Sequence, residues 1–109
     1  MTVSSAALGT QTATINTEHT LATVTSPGVY VLVVDLTNMV SGDSLELRVK
    51  TKNQSGKPSV LADLEFYNNA QTTPQAYFVP YPADTEFKAT LKQTAGTGRS
   101  YDWNVLLVS

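Results

Sequence analysis

His19 is the only histidine in this chain, and there is no cysteine. The side chains that most often carry acid–base, nucleophilic or metal chemistry are therefore almost missing. A metal site built on several histidines or on thiolates cannot form. His19 follows Glu18 in a polar stretch that reads as a turn, where a histidine is most simply a solvated residue. Serine catalysis needs a nucleophile and a base held together, and no strained G-x-S-x-G elbow marks any serine here. The segment Gly96-Thr97-Gly98-Arg99-Ser100 has the glycines of a phosphate loop but not its Gly-Lys-Ser/Thr ending. β-prone sequence lies on both sides of it, where a phosphate loop would open a helix, so it reads as a hairpin turn. Asp43, Asp63, Asp84 and Asp102 are too widely spaced for a D-x-D-x-D calcium loop. The expectation is a non-enzymatic protein with no catalytic residue, no metal and no cofactor.

Aromatic residues are the remaining candidates for a site. Tyr67, Tyr77, Phe78, Tyr81, Tyr101 and Trp103 crowd the C-terminal half. Such side chains fill a core, stack on a sugar, or anchor an interface. Phe66, Phe87 and Trp103 fall in the apolar phase of alternating segments, which assigns them to the core. Tyr77, Phe78 and Tyr81 flank Pro80 and Pro82 and are candidates for an exposed contact loop. For a sugar, the stacking groups would be Tyr77, Tyr81 or Trp103.

The elements that position these residues follow from a period of two. Leu45, Leu47 and Val49 alternate with Glu46, Arg48 and Lys50, and Phe87, Ala89 and Leu91 alternate with Lys88 and Thr90. The same alternation puts Val60, Ala62, Leu64 and Phe66 inside against Asp63 and Glu65, and Tyr101, Trp103, Val105 and Leu107 on one face. Further β-prone runs lie at 11–17, 20–25, 29–36 and 77–79, the last cut off by proline. Turn clusters separate them at Pro27-Gly28, Asn38 to Asp43, Asn53 to Ser59 and Asn68 to Pro74. No segment carries apolar residues at helical spacing. About eight short strands at this spacing predict an all-β, antiparallel, jelly-roll-like sandwich. Residues 1–10 are small and polar and read as a flexible arm or a late-ordering strand, with a single domain over 11–109. The predicted core includes Leu47, Val49, Leu64, Phe66, Phe87, Leu91, Trp103 and Val105.

One strand is apolar on both faces. Val29, Val31 and Val33 lie opposite Tyr30, Leu32 and Val34, yet only one face of a sandwich strand looks into the core. A loop, the N-terminal arm or another subunit has to cover the second face. Val29, Val31 and Val33 with Tyr77, Phe78 and Tyr81 are thus the candidate interface, and a symmetric homo-oligomer, a trimer first, is the expected assembly.

Composition removes other partners. Lys and Arg number 7 against 9 acidic residues, only 15% of residues are charged, and the net charge is −2. Phosphate binding needs a basic surplus, so nucleic acid is not expected. The longest apolar stretch, Val29 to Val34, is far short of the roughly 18 residues of a membrane span, so no membrane partner is expected either. The first ten residues lack the basic and apolar regions of a signal peptide, which points to synthesis and folding in a cytoplasm.

The run Gly28-Val29-Tyr30-Val31-Leu32-Val33-Val34-Asp35-Leu36-Thr37-Asn38, then Ser41-Gly42-Asp43 and Leu45-Glu46-Leu47-Arg48-Val49, resembles small β-sandwich structural proteins of tailed bacteriophages. So does Phe87-Lys88-Ala89-Thr90-Leu91-Lys92-Gln93-Thr94-Ala95-Gly96-Thr97-Gly98-Arg99-Ser100-Tyr101-Asp102-Trp103. The resemblance spans about the last three quarters of the chain. It implies a virion component, made in the host cytoplasm and placed on the capsid surface. Such a head decoration, or cement, protein sits between capsid subunits, often as a trimer, with the major capsid protein as partner. It transfers no functional residue. The alternative is a carbohydrate- or host-receptor-binding sandwich on a phage fibre or tail.

Overall fold

Leu45, Leu47 and Val49 are fully buried, and the residues between them are not. This is what the alternation of β4 requires when one sheet face meets a core. The computed structural model describes residues 2–109. Its segments are β1 (Val3–Thr12), β2 (His19–Val24), β3 (Gly28–Asp35), β4 (Ser44–Lys52), β5 (Val60–Asn68), β6 (Gln75–Tyr77), β7 (Tyr81–Ala83), β8 (Glu86–Ala95) and β9 (Ser100–Val108). There is no helix among the described residues. One antiparallel sheet runs β1-β9-β3-β6, with β7 also on β3, and the other runs β2-β8-β4-β5. Counting β6 and β7 as two halves of one broken strand, this is the strand order of a jelly roll. The break falls at Val79-Pro80, where proline has no N–H to give a ladder.

Tyr30, Leu32 and Val34 of β3 and Tyr101 and Val105 of β9 meet the buried faces of β4 and β8. Tyr30 and Phe87 join the layers, with ring centroids 5.3 Å apart. The Tyr30 hydroxyl reaches the edge of the core and donates to the Ser26 carbonyl at 2.6 Å, so a large ring is buried without an orphaned polar atom.

Three sequence expectations need correction. Residues 3–10 are not a free arm. They belong to β1, which pairs with β9 from Val3↔Val108 to Thr12↔Ser100. β1 lacks apolar alternation because its partner supplies the bulk. A Cβ on Gly9 would lie 3.1 Å from the Trp103 ring, so the glycine leaves room for the indole. The strand expected at 11–17 ends at Thr12, and Asn16 turns the chain with a φ of +65°.

β5 shows the opposite phase to the one expected. Tyr67, Glu65 and Asp63 pair with Leu45, Leu47 and Val49 and so share their inward side. Phe66 and Leu64 pair with Glu46 and Arg48 and point outward, leaving Phe66 63% exposed and Leu64 half-buried. A one-residue change of phase moves every side chain to the other face, and Phe66-Tyr67 offers an aromatic to either. Tyr67 packs on the core, and the Tyr81 hydroxyl donates to Asp63 Oδ2 at 2.9 Å, which holds the acidic phase inward.

These placements predict that Leu91→Ala costs about 2–5 kcal/mol in urea unfolding, while Phe66→Ala costs under about 0.5 kcal/mol. A large loss at Phe66 would mean that β5 turns its other face to the core.

Candidate functional site

Because β1, β9, β3 and β6 are in register, their outward residues form rows across the sheet. Val3, Val108, Val29 and Pro82 make one row. Ser5, Leu106 and Val31 make the next, and Leu8, Asn104, Val33 and Tyr77 the third. No charged side chain interrupts these three rows. Leu8 and Tyr77 are each 67% exposed, and Val3 and Val79 are also open. The first strand lies in the plane of this sheet as its edge and does not fold over it. Within the rows Val33 is only 7% exposed and Val29, Val31, Leu106 and Val108 are half-buried, so the open apolar surface lies towards the rim.

Of the six candidate interface residues, Val29, Val31, Val33 and Tyr77 share this side. Phe78 and Tyr81 do not. Phe78 is 4% exposed in the core and donates its N–H to the Leu32 carbonyl at 3.0 Å. Tyr81 pairs with the inward-facing Tyr30 and bonds Asp63. Phe78 follows the inward phase of Ala76 past the end of β6, and Tyr81 takes the inward phase of β7 opposite Tyr30. Trp103 is half-buried over Gly9, so of the three possible stacking groups Tyr77 alone stays open.

A shallow groove of about 440 Å³ borders the apolar rows, lined by Leu8, Thr10, Asp35, Gln75 and Asp102. Its carboxylates are already occupied. Asp102 accepts from the Thr10 hydroxyl at 2.5 Å, and Asp35 accepts from the Thr37 hydroxyl and N–H. The Thr37 hydroxyl, then its N–H, hold Asp35 below the ordinary carboxylate range. The Tyr77 hydroxyl donates to Gln75 Oε1 at 2.9 Å.

A second polar cluster, buried at one end of the sandwich, was not anticipated. Gln93 continues the inward phase of Phe87, Ala89 and Leu91 and is fully buried. Its amide nitrogen donates to the Ala95 and Thr97 carbonyls, and its oxygen accepts from the Arg99 N–H and the Tyr101 hydroxyl. Asp43, 1% exposed, accepts from the Val40 and Thr97 N–H groups and from Arg99 Nε at 3.0 Å. A Cβ on Gly96 would collide with the Asp43 carboxylate, and Gly96 has a φ of +87°, so both space and backbone require glycine there. The signal available in sequence was a glutamine where an apolar residue belongs.

His19 also departs from expectation. It heads β2, half-buried, and its Nε2 accepts the Thr14 N–H at 3.0 Å, pinning the β1–β2 turn. Gly96 to Arg99 is not the hairpin turn expected, because it carries the chain from β8 in one sheet to β9 in the other. Among the described residues no three His, Asp or Glu side chains gather where they could hold a metal.

Comparison with protein-family models, curated proteins and solved structures finds no match. The buried cluster is saturated with internal hydrogen bonds, which suits a lock between loops. Burial and then the Asp43 charge raise the Tyr101 hydroxyl to about 12, so it stays a neutral donor. Burial pushes the Asp43 carboxyl up, but the Val40 N–H, the Arg99 side chain and the Thr97 N–H outweigh it and leave it below the usual range.

A folded-state pKa below the unfolded one gives stability that is present above about pH 4 and lost as pH falls through the folded value. Thermal unfolding between about pH 7 and pH 2 should therefore show a steep acid fall for wild type. Asp43→Asn should be less stable at neutral pH by about 1–3 kcal/mol and fall less steeply in acid. Parallel curves would show that Asp43 carries no ionised role.

Proposed function

We propose that this chain is a non-enzymatic structural protein of a phage virion, a capsid decoration protein that associates with copies of itself through the outer face of the β3 sheet. The trimer is the first choice of assembly, and the major capsid protein is the further partner, with the protein seated on the capsid surface. The observation that supports this most is the uncharged apolar face around Val31 and Leu106. A monomeric sandwich normally turns polar residues outward on such a sheet, and large open apolar patches mark contact surfaces. The molecule is a flat slab with extents of 40 × 30 × 18 Å. Its broad side can therefore supply the roughly 800 Å² per partner of a standard interface. A face with no charge needs no charged complement, so a second copy fits it. The resemblance to phage β-sandwich structural proteins supplies the virion setting.

A receptor- or sugar-binding reading draws on the groove beside Tyr77. It is the lesser one, because a single open ring leaves little stacking surface and both carboxylates are engaged within the chain.

Sedimentation at micromolar concentration should give an oligomer for wild type and a folded monomer for Val31→Lys. That variant should also fail to restore heat resistance to phage heads lacking the protein, whereas wild type restores it. A monomeric wild type contradicts the reading. Unfolding of Val31→Lys without prior dissociation would place that face in the intrachain core.

A further inference from the structure

A jelly roll ends in four sheet edges, and three of them are protected here. β1 and β2 lie against each other, and each carries a register shift, at Ser5/Ala7 and at Thr20/Ala22. β6 and β7 are three residues each, with Pro80 and Pro82 beside or within them. Short strands, bulges and prolines are the usual means of blunting an edge. β5 differs. It is nine residues long, contains no proline, pairs on one side only, with β4, and has its one register shift at Ala62, near its start. Among the described residues no other backbone bonds to it, apart from the Gln71 side chain capping the Asn68 carbonyl. The regular backbone from Asp63 to Tyr67 is thus open for another strand.

The side chains say which strand. On the outward side Leu61, Leu64 and Phe66 form an apolar strip, with Leu61 and Phe66 exposed. On the inward side the same edge presents Asp63 and Glu65, and their charge reaches far enough to raise the neighbouring Tyr67 hydroxyl after burial has done so. A second β5 is a poor occupant. Antiparallel pairing centred on Asp63, Leu64 or Glu65 sets acid against acid, and like charges directly opposite are destabilising. We propose that β5 is a docking edge for an extended segment of a different polypeptide, one that alternates apolar and basic residues. Its apolar side chains extend the Leu61–Phe66 strip, and its lysines or arginines meet Asp63 and Glu65, in the manner of β-strand addition. This edge is on the opposite sheet from the self-association face and does not depend on it.

The test uses the full chain, isotopically labelled, with three capped seven-residue peptides. One alternates valine and lysine, one alternates valine and glutamate, and one has the first peptide's composition in blocks. The alternating lysine peptide should bind about tenfold more tightly than the glutamate one, from two cross-strand charge pairs. It should also outbind the block peptide and slow amide exchange at residues 63–67. Glu65→Lys, at an exposed position, should keep the native spectrum and reduce or invert that preference. Equal affinities, no binding, protection at Val29–Val33 instead, or indifference to Glu65→Lys would each overturn the proposal.

Discussion

A glutamine amide buried in a hydrophobic sandwich must find four partners or cost the fold dearly. Gln93 finds all four around the Ala95–Arg99 turn. That turn carries the chain from β8 in one sheet to β9 in the other. Asp43 sits beside it, at the end of the β3–β4 connection, which also crosses between the sheets, and bonds Val40 on one crossover and Thr97 and Arg99 on the other. Two crossovers are therefore clamped at the same end of the molecule. The clamp ties together two of the connections through which β3 and β9 lie over β4 and β8.

The apolar outer face follows from that placement. With Tyr30, Leu32, Val34, Tyr101 and Val105 committed to the core, Val29, Val31, Leu106 and Val108 have to point away from it. Their apolar character costs solubility and adds nothing to the monomer core, which makes it intelligible as a surface for contact. The two faces of β3 divide the work: one builds the domain, and the other is the face proposed for contact with a neighbour. β5 stands apart because its outward apolar strip is narrow and its inward side is acidic, so it suits a thin, charged guest where the broad face suits another slab.

Much of this was legible in sequence wherever a strand had a core on one side. β4, β8 and β9 announce themselves by strict alternation, and the apolar run of β3 signals a strand with apolar side chains on both faces. β1 was hidden because its inward residues are Ala7, Gly9 and Gln11, and the bulk belongs to Trp103 across the ladder. In β5 the phase was undecidable locally, since Phe66 and Tyr67 compete and the outcome rests on Tyr81 reaching Asp63 from a distant segment. Phe78 looked like a loop aromatic, but it continues the inward phase of Ala76 beyond the end of β6. The Asp43–Gln93 clamp joins residues some fifty positions apart, and no local pattern reports such a pair.

The central claim is that the β3 sheet's outer face is covered by another copy of the chain. It is tested most directly by methyl NMR with a soluble paramagnetic probe over a series of protein concentrations. The account predicts that the methyl groups of Val29, Val31, Leu106 and Val108 become shielded as concentration rises, while Leu61 at the β5 edge stays equally accessible. Methyl groups on the β3 face that remain as accessible in concentrated as in dilute solution would contradict it.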